Sequence, residues 1–196
     1  LRHCGIGRVV LVGRSSPSPE KRAHIDTLAS ETGGRVEFFQ ADVSVDSAVE
    51  KLVCAYADGL KAVFHLAGVL HNHYMSTMPV AALTDCLQAK AEGARLLDSA
   101  TRRHVPELRY FVLFSSIFAV LGFPQLAHYA AANAYLDGLA EARRAEGLHG
   151  LAIHWGTFAK AGMAHGLGEN WSKYWTSMGM TFLAPDDGFA RMFSAL

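Results

Sequence analysis

A chain of 196 residues has room for one domain with a sizeable core, and 51% hydrophobic against 18% charged residues excludes a disordered segment. Lys plus Arg and Asp plus Glu balance at 18 each, so there is no basic field to recruit nucleic acid or an anionic membrane. Three scattered cysteines, Cys4, Cys54 and Cys86, make no disulfide framework and read as buried thiols in a reducing, cytoplasmic setting. The apolar run at residues 9–12 is too short for a membrane span or a secretory signal.

In chain order, Arg8–Gly13 is a continuous β-branched run closed by Gly, the signature of a buried parallel strand. Ser18, Pro19 and Glu20 then start a helix, with a capping hydroxyl, a proline in the first turn and an early acid. This helix is expected to reach Glu31 and stop at Gly33 and Gly34. Arg35–Gln40 is a second strand, and Ser44 is placed to cap a helix running through Tyr56. Residues 61–65 form a third strand, followed by a loop over residues 69–78 and a long helix over residues 79–103 that carries Lys90. A further strand, residues 150–154, ends in Trp155 and Gly156. Alternating strands and helices imply an α/β fold with a doubly wound parallel sheet.

Residues 110–137 organise the rest. Residues 110–114 have the length of a buried strand and stop on two hydroxyls, Ser115 and Ser116. After a loop with Gly122 and Pro124, Tyr129 opens an Ala-rich helix reaching about Glu146. Tyr129 and Asn133, four residues apart, share one helix face. The strand delivers Ser116 to the carboxyl edge of the sheet, where open α/β folds place their ligands. A Ser, a Tyr and an Asn converging there point to polarisation and protonation of a carbonyl oxygen. The tail, residues 157–196, reads as an irregular substrate lid, or equally as a flap closing the core, with a short helix after Pro185, Asp186 and Asp187. The domain boundaries expected are a Rossmann-like core at 1–156 and this lid region at 157–196.

Seven stretches carry a family resemblance: VLVGRS at 10–15, ADVS at 41–44, FHLAGVL at 64–70, KAEGARLLD at 90–98, FVLFSS at 111–116, YAAANAYLD at 129–137 and WGTFAKAGM at 155–163. In this order they resemble the ketoreductase domain of modular polyketide synthases and related fatty acid synthases, within the short-chain dehydrogenase/reductase superfamily. Ordinary members of the superfamily carry a lysine four residues after the tyrosine. Here Asn133 holds that position and the lysine lies upstream at Lys90, an arrangement similar to the synthase branch.

The resemblance implies hydride transfer from NADPH to a β-keto thioester. Tyr129 is implied as general acid, eased by a nearby ammonium and by the positive nicotinamide product. Lys90 is implied as that ammonium and as a holder of the nicotinamide ribose, Ser116 as the hydrogen-bond donor to the substrate carbonyl, and Asn133 as the anchor of a water in a proton relay. Ser115 is the rival to Ser116, which is preferred because twelve residues separate it from Tyr129, the family spacing. An acid after the second strand of a dinucleotide fold selects NAD, whereas an Arg accommodates the NADP 2′-phosphate. Here Arg14 and Ser15 stand in that place. Asp42 and Val43 resemble the adenine-edge contacts, and Ala67 and Gly68 a close backbone approach to the cofactor. His65 falls among the cofactor-binding positions, although His65 and His154 also read as hydrogen-bonded structural residues at strand ends. His71 and His73 bring no third ligand at metal-binding spacing, read as solvent-exposed loop residues and assign no metal.

The implied partners are an acyl carrier protein bearing a phosphopantetheine-linked β-ketoacyl chain and neighbouring synthase domains, with neither nucleic acid nor membrane. A non-reducing structural domain and an epimerising one remain as alternatives. Against the family pattern, the first strand with its Gly-rich turn and the last strand are missing from this sequence, as is the structural half-domain that precedes the catalytic half. The expectation is therefore two strand ribbons with unpaired inner edges. The 196 residues alone are expected to bind NADPH weakly or not at all, to be poorly soluble and to reduce nothing, for lack of the turn that cradles the pyrophosphate.

Overall fold

The computed structural model describes residues 7–159, 162 and 168–196. Cys4, most of the 1–7 stretch and Lys160, Ala161 and Met163 lie outside the described residues. The chain divides into two compact units, one formed by residues up to Gly59 together with Leu96–Pro106, the other by Leu60–Arg95 and Glu107–Leu196.

In the first unit, β1 (Arg8–Gly13) pairs in parallel with β2 (Arg35–Gln40), Arg8 opposite Arg35 and Gly13 opposite Gln40. Helix α1 (Pro19–Thr32) joins them. Ser18 caps it by accepting a hydrogen bond from the Lys21 N–H at 3.4 Å, and Gly33 ends it at φ +64°, a left-handed conformation that only glycine adopts without strain. Helix α2 (Asp46–Tyr56) starts one residue later than Ser44 predicts, with Val45 at the cap. Ser44 is taken instead by Asp42, whose Oδ1 accepts from the Ser44 N–H at 2.9 Å and the Ser44 hydroxyl at 2.7 Å. This local Asx-type turn competes with helix capping for the same side chain. Val49, Leu52 and Val53 line the buried face of α2.

In the second unit, β3 (Ala62–His65), β4 (Tyr110–Ser116) and β5 (Leu151–Trp155) form a parallel sheet with β4 central. Ala62 stands opposite Tyr110, and Ser116 opposite Trp155. Phe111, Val112 and Leu113 have no exposed surface, as expected of a parallel strand covered on both faces. The long helix predicted over 79–103 is α3 (Val80–Leu87) and α4 (Gly93–His104) joined by a π-helical turn, Gln88–Glu92, on which Lys90 sits. Beyond β4 come a one-turn helix, α5 (Phe118–Leu121), and α6 (Ala127–Ala145), which begins two residues before Tyr129. The tail is more ordered than its composition suggests, with α7 (Gly168–Ser177) and α8 (Pro185–Ser194) and a parallel bridge between Phe158 and Leu183.

The two ribbons expected from the sequence are these two parallel sheets, with β1 pairing only β2 among the described residues. No helix among the described residues is long and apolar enough to cross a membrane.

Candidate active site

The site is built at the carboxyl end of β4. Ser115 and Ser116 are both buried there, and they part ways. The Ser115 hydroxyl donates to the main-chain carbonyl of Asn133 at 3.3 Å, tying β4 to α6. The Ser116 hydroxyl accepts from the Phe118 N–H at 3.3 Å and interacts with the Tyr129 phenol. Tyr129 packs with Cys86, Phe118, Leu126, Ala132 and Trp175. Burial pushes its phenol above the usual value of 10, while hydrogen bonding to Asn133 and Ser116 pulls it back and Cys86 adds to the rise. Burial is the largest of these influences, and with its pKa raised Tyr129 holds its proton at neutral pH.

Lys90 is only 2% exposed. Its Nζ donates to the carbonyl of Phe114 at 2.6 Å, one residue past Leu113, the last residue of β4 to pair with β3. The ammonium lies 5.6 Å from the centre of the Tyr129 ring. Burial lowers its pKa to about 8, with Cys86 and Asp137 working in the opposite direction. Two features absent from any single motif hold it there. The π turn widens the helix at Lys90, a device common at functional sites, and His65 Nε2–H donates to the Lys90 carbonyl at 2.9 Å. That bond requires the proton on Nε2, and burial lowers the His65 pKa to about 4, so the ring is neutral. Gly68 completes the seat, since a Cβ there would meet Lys90 Cε at 3.1 Å. The histidine that ends β3 and the glycine three residues beyond it were visible in the sequence as punctuation, but not as supports for a lysine further along the chain.

Asn133 has no exposed surface. Its Nδ2 donates back to the Tyr129 carbonyl at 2.7 Å, and its Oδ1 is buried with no hydrogen-bond partner among the described residues. Lys90, Ser116, Tyr129 and Asn133 therefore all lie in the second unit around one end of β4. His154 is hydrogen-bonded, as its strand-end place suggests, with Nε2 at 2.9 Å from Asp137 Oδ2.

Arg14, Ser15, Asp42 and Val43 belong to the first unit, past the ends of β1 and β2. Gln40 Nε2 donates to the Arg14 carbonyl at 3.0 Å, and the Ala41 N–H to the Gly13 carbonyl at 3.0 Å. The Asp42 carboxyl is held below its ordinary range by its bonds to Ser44 and, more weakly, by the Arg14 charge. Ala67 and Gly68 follow β3 in the second unit.

Three readings from sequence change. Cys54 is exposed, whereas Cys86 is buried and its thiol is pushed up to about 11 by desolvation. His71 and His73 are half-buried rather than solvated: their rings lie 6.4 Å apart, and His73 lies 6.4 Å from His128, which is buried beside Tyr129. The tail is helical where it reads as irregular, and Trp175 of α7 is buried against Phe118 and Phe123, with ring centres 5.3 and 4.9 Å apart, a packing that suits the closing-flap alternative.

Residues 1–160 match the family model described as the KR domain. The chain belongs to the KR domain family. It is 46% identical over 163 residues to the polyketide synthase GfsA of Streptomyces halstedii, covering 82% of this chain and 2% of that protein. It is 41% identical to GfsB of the same organism over 196 residues, covering 98% of this chain and 3% of the relative. The chain thus spans only a few per cent of the length of these curated relatives. Among solved ketoreductases, the first ketoreductase of the tylosin polyketide synthase matches with TM-score 0.83 and 35% identity over 95% of this chain and 40% of that one. A ketoreductase domain from the bacillaene assembly line matches with TM-score 0.88 and 28% identity over 98% of this chain and 47% of that one. The α/β Rossmann-like fold with parallel sheets is accordingly that of polyketide synthase ketoreductases.

Proposed function

We propose that this KR segment supplies the catalytic residues for NADPH-dependent reduction of a β-ketoacyl thioester, carried on an acyl carrier protein within a polyketide synthase, to the β-hydroxyacyl thioester. The observation that carries the reading is the convergence of the Tyr129 phenol with Ser116 and Asn133, beneath which the buried Lys90 ammonium sits 5.6 Å from the phenol ring. The names of the relatives, polyketide synthases and ketoreductases, support the substrate class.

When bound, reduced nicotinamide supplies the hydride. The protein's own residues handle the oxygen. Tyr129, protonated at neutral pH, gives the phenolic proton to the substrate oxygen as negative charge grows there. The Ser116 hydroxyl donates a hydrogen bond to the same oxygen. Lys90, charged below about pH 8, stabilises the phenolate left behind. Its ammonium has donors beyond the one given to Phe114, which suit the hydroxyls of a nicotinamide ribose. The orphan Oδ1 of Asn133 suits a bridging water that returns a proton toward Lys90 and Tyr129. Arg14 and Ser15 supply a guanidinium and a hydroxyl for the 2′-phosphate that distinguishes NADPH.

The test is Tyr129→Phe in a complete ketoreductase domain carrying these residues. The ring is kept and only the hydroxyl is lost. Reduction of a β-ketoacyl thioester should fall by about 10²–10⁴-fold, with NADPH affinity little changed. Undiminished turnover would refute the assignment.

A further inference from the structure

Away from the Tyr129 site, the first unit brings three metal-ligating side chains of different chemistry together. Glu50 and Cys54 stand one turn apart on α2, and His104 closes α4. A carboxylate oxygen of Glu50, Sγ of Cys54 and a ring nitrogen of His104 all lie within 4.8 Å of one another. Positions four apart on a rigid helix face the same way, so the Glu50–Cys54 pair is preset by α2 and needs only one donor from elsewhere. His104 provides it, with Nε2 already in contact with Glu50 Oε1. The other carboxylate oxygen, Oε2, accepts from Arg103 Nη2 at 2.7 Å, the kind of outer hydrogen bond that orients a ligating carboxylate.

We infer that Glu50, Cys54 and His104 form a site for a divalent transition-metal ion, Zn²⁺ by preference, that clasps α2 to the end of α4. The donor set is one carboxylate, one thiolate and one imidazole, all accepted by tetrahedral Zn²⁺, with the fourth position open to water. A hard cation such as Mg²⁺ or Ca²⁺ favours oxygen donors and gains little from the sulfur and nitrogen here. Binding releases the Cys54 thiol proton to solvent, moves the His104 Nε2 proton to Nδ1 or to solvent, and replaces the Glu50–His104 contact with two metal bonds, while Arg103 stays on Oε2. Glu50 is anionic at neutral pH, since hydrogen bonding to Arg103 and His104 holds its carboxyl below the ordinary range. The competing account is an ordinary ion-pair cluster in which Glu50 is shared by Arg103 and His104. That account gives Cys54 no part, and the thiol distinguishes the two.

The experiment titrates the tag-free, reduced protein with Co²⁺ and with Zn²⁺ against a chromophoric chelator. The expected result is one equivalent of metal, a thiolate-to-Co²⁺ charge-transfer band and a rise in the thermal midpoint with Zn²⁺, as ligand linkage requires. Cys54→Ser should abolish the band, and both Cys54→Ser and His104→Gln should weaken Zn²⁺ by at least ~10-fold. Both side chains are at the surface, and circular dichroism confirms that the variants fold. A band that survives in Cys54→Ser, an unchanged Zn²⁺ affinity in both variants, or no thiolate band in the parent protein overturns the proposal.

Discussion

Lys90 shows how one side chain depends on distant choices in the sequence. Its ammonium is buried at a cost, and the structure offsets that cost with the Phe114 carbonyl, the His65-braced π turn and the space left by Gly68. Arg14 has the opposite character. It is exposed at the end of β1, with its main chain fixed by Gln40 and its charge felt by Asp42. The role proposed for a charge in that place is selection rather than support. Replacing Arg14 with Asp in a complete domain should weaken NADPH far more than NADH, by about 1.5–3 kcal/mol, the worth of a hydrogen bond to a charged group. Separate cofactor titrations by fluorescence decide it, and equal loss for both cofactors removes Arg14 from the phosphate site.

At the scale of elements, the join between α6 and β5 is packed closely around a glycine. Gly150 is buried just before β5, and a Cβ there would meet the Ala140 carbonyl oxygen at 2.6 Å and Arg143 Cβ at 3.0 Å. Around it, Arg143 Nε donates to the His149 carbonyl and Arg144 Nη1 to the Gly150 carbonyl, each at 2.7 Å. The obstacle is backbone, so it cannot be relieved by a rotamer change. Gly150→Ala should therefore destabilise the protein by roughly 1–3 kcal/mol, read as a lower midpoint in urea, and an unchanged midpoint would show that α6 shifts freely. The strand itself was legible because apolar runs and their stopping residues lie next to each other in sequence. Ser116, Tyr129 and Asn133 were legible for the same reason, their spacing being set within one strand–loop–helix segment. What stayed hidden depends on packing across the fold. Ser44 has two competing local partners, and only the structure shows that Asp42 wins. The π turn has no composition of its own, and the burial of Trp175 on Phe118 is decided by segments that sequence spacing does not relate.

For the whole molecule, buried histidines set the response to acid. His65 has a folded pKa of about 4 against an ordinary 6.5, and burial likewise lowers His128 and His149. Between pH 6.5 and 4 the unfolded chain therefore binds protons that the folded chain refuses. Stability rises with pH wherever the unfolded state holds more protons, so acidification through this window destabilises the fold, by up to ~1.4 kcal/mol per pH unit for each histidine kept neutral. Lys90 gives the same sign in a separate window, from its folded value of about 8 up to 10.5, where raising the pH relieves the burial of its charge. Carboxylates held below their ordinary range, Asp42 among them, lose their contribution only at lower pH. Denaturant unfolding of a complete domain from pH 7 to 5 should show a falling midpoint. His65→Gln, whose amide can still donate to the Lys90 carbonyl but does not titrate, should flatten that slope without abolishing it, since His128 and His149 remain. Equal slopes for the two proteins would mean that His65 takes up its proton as readily in the folded state as in the unfolded one.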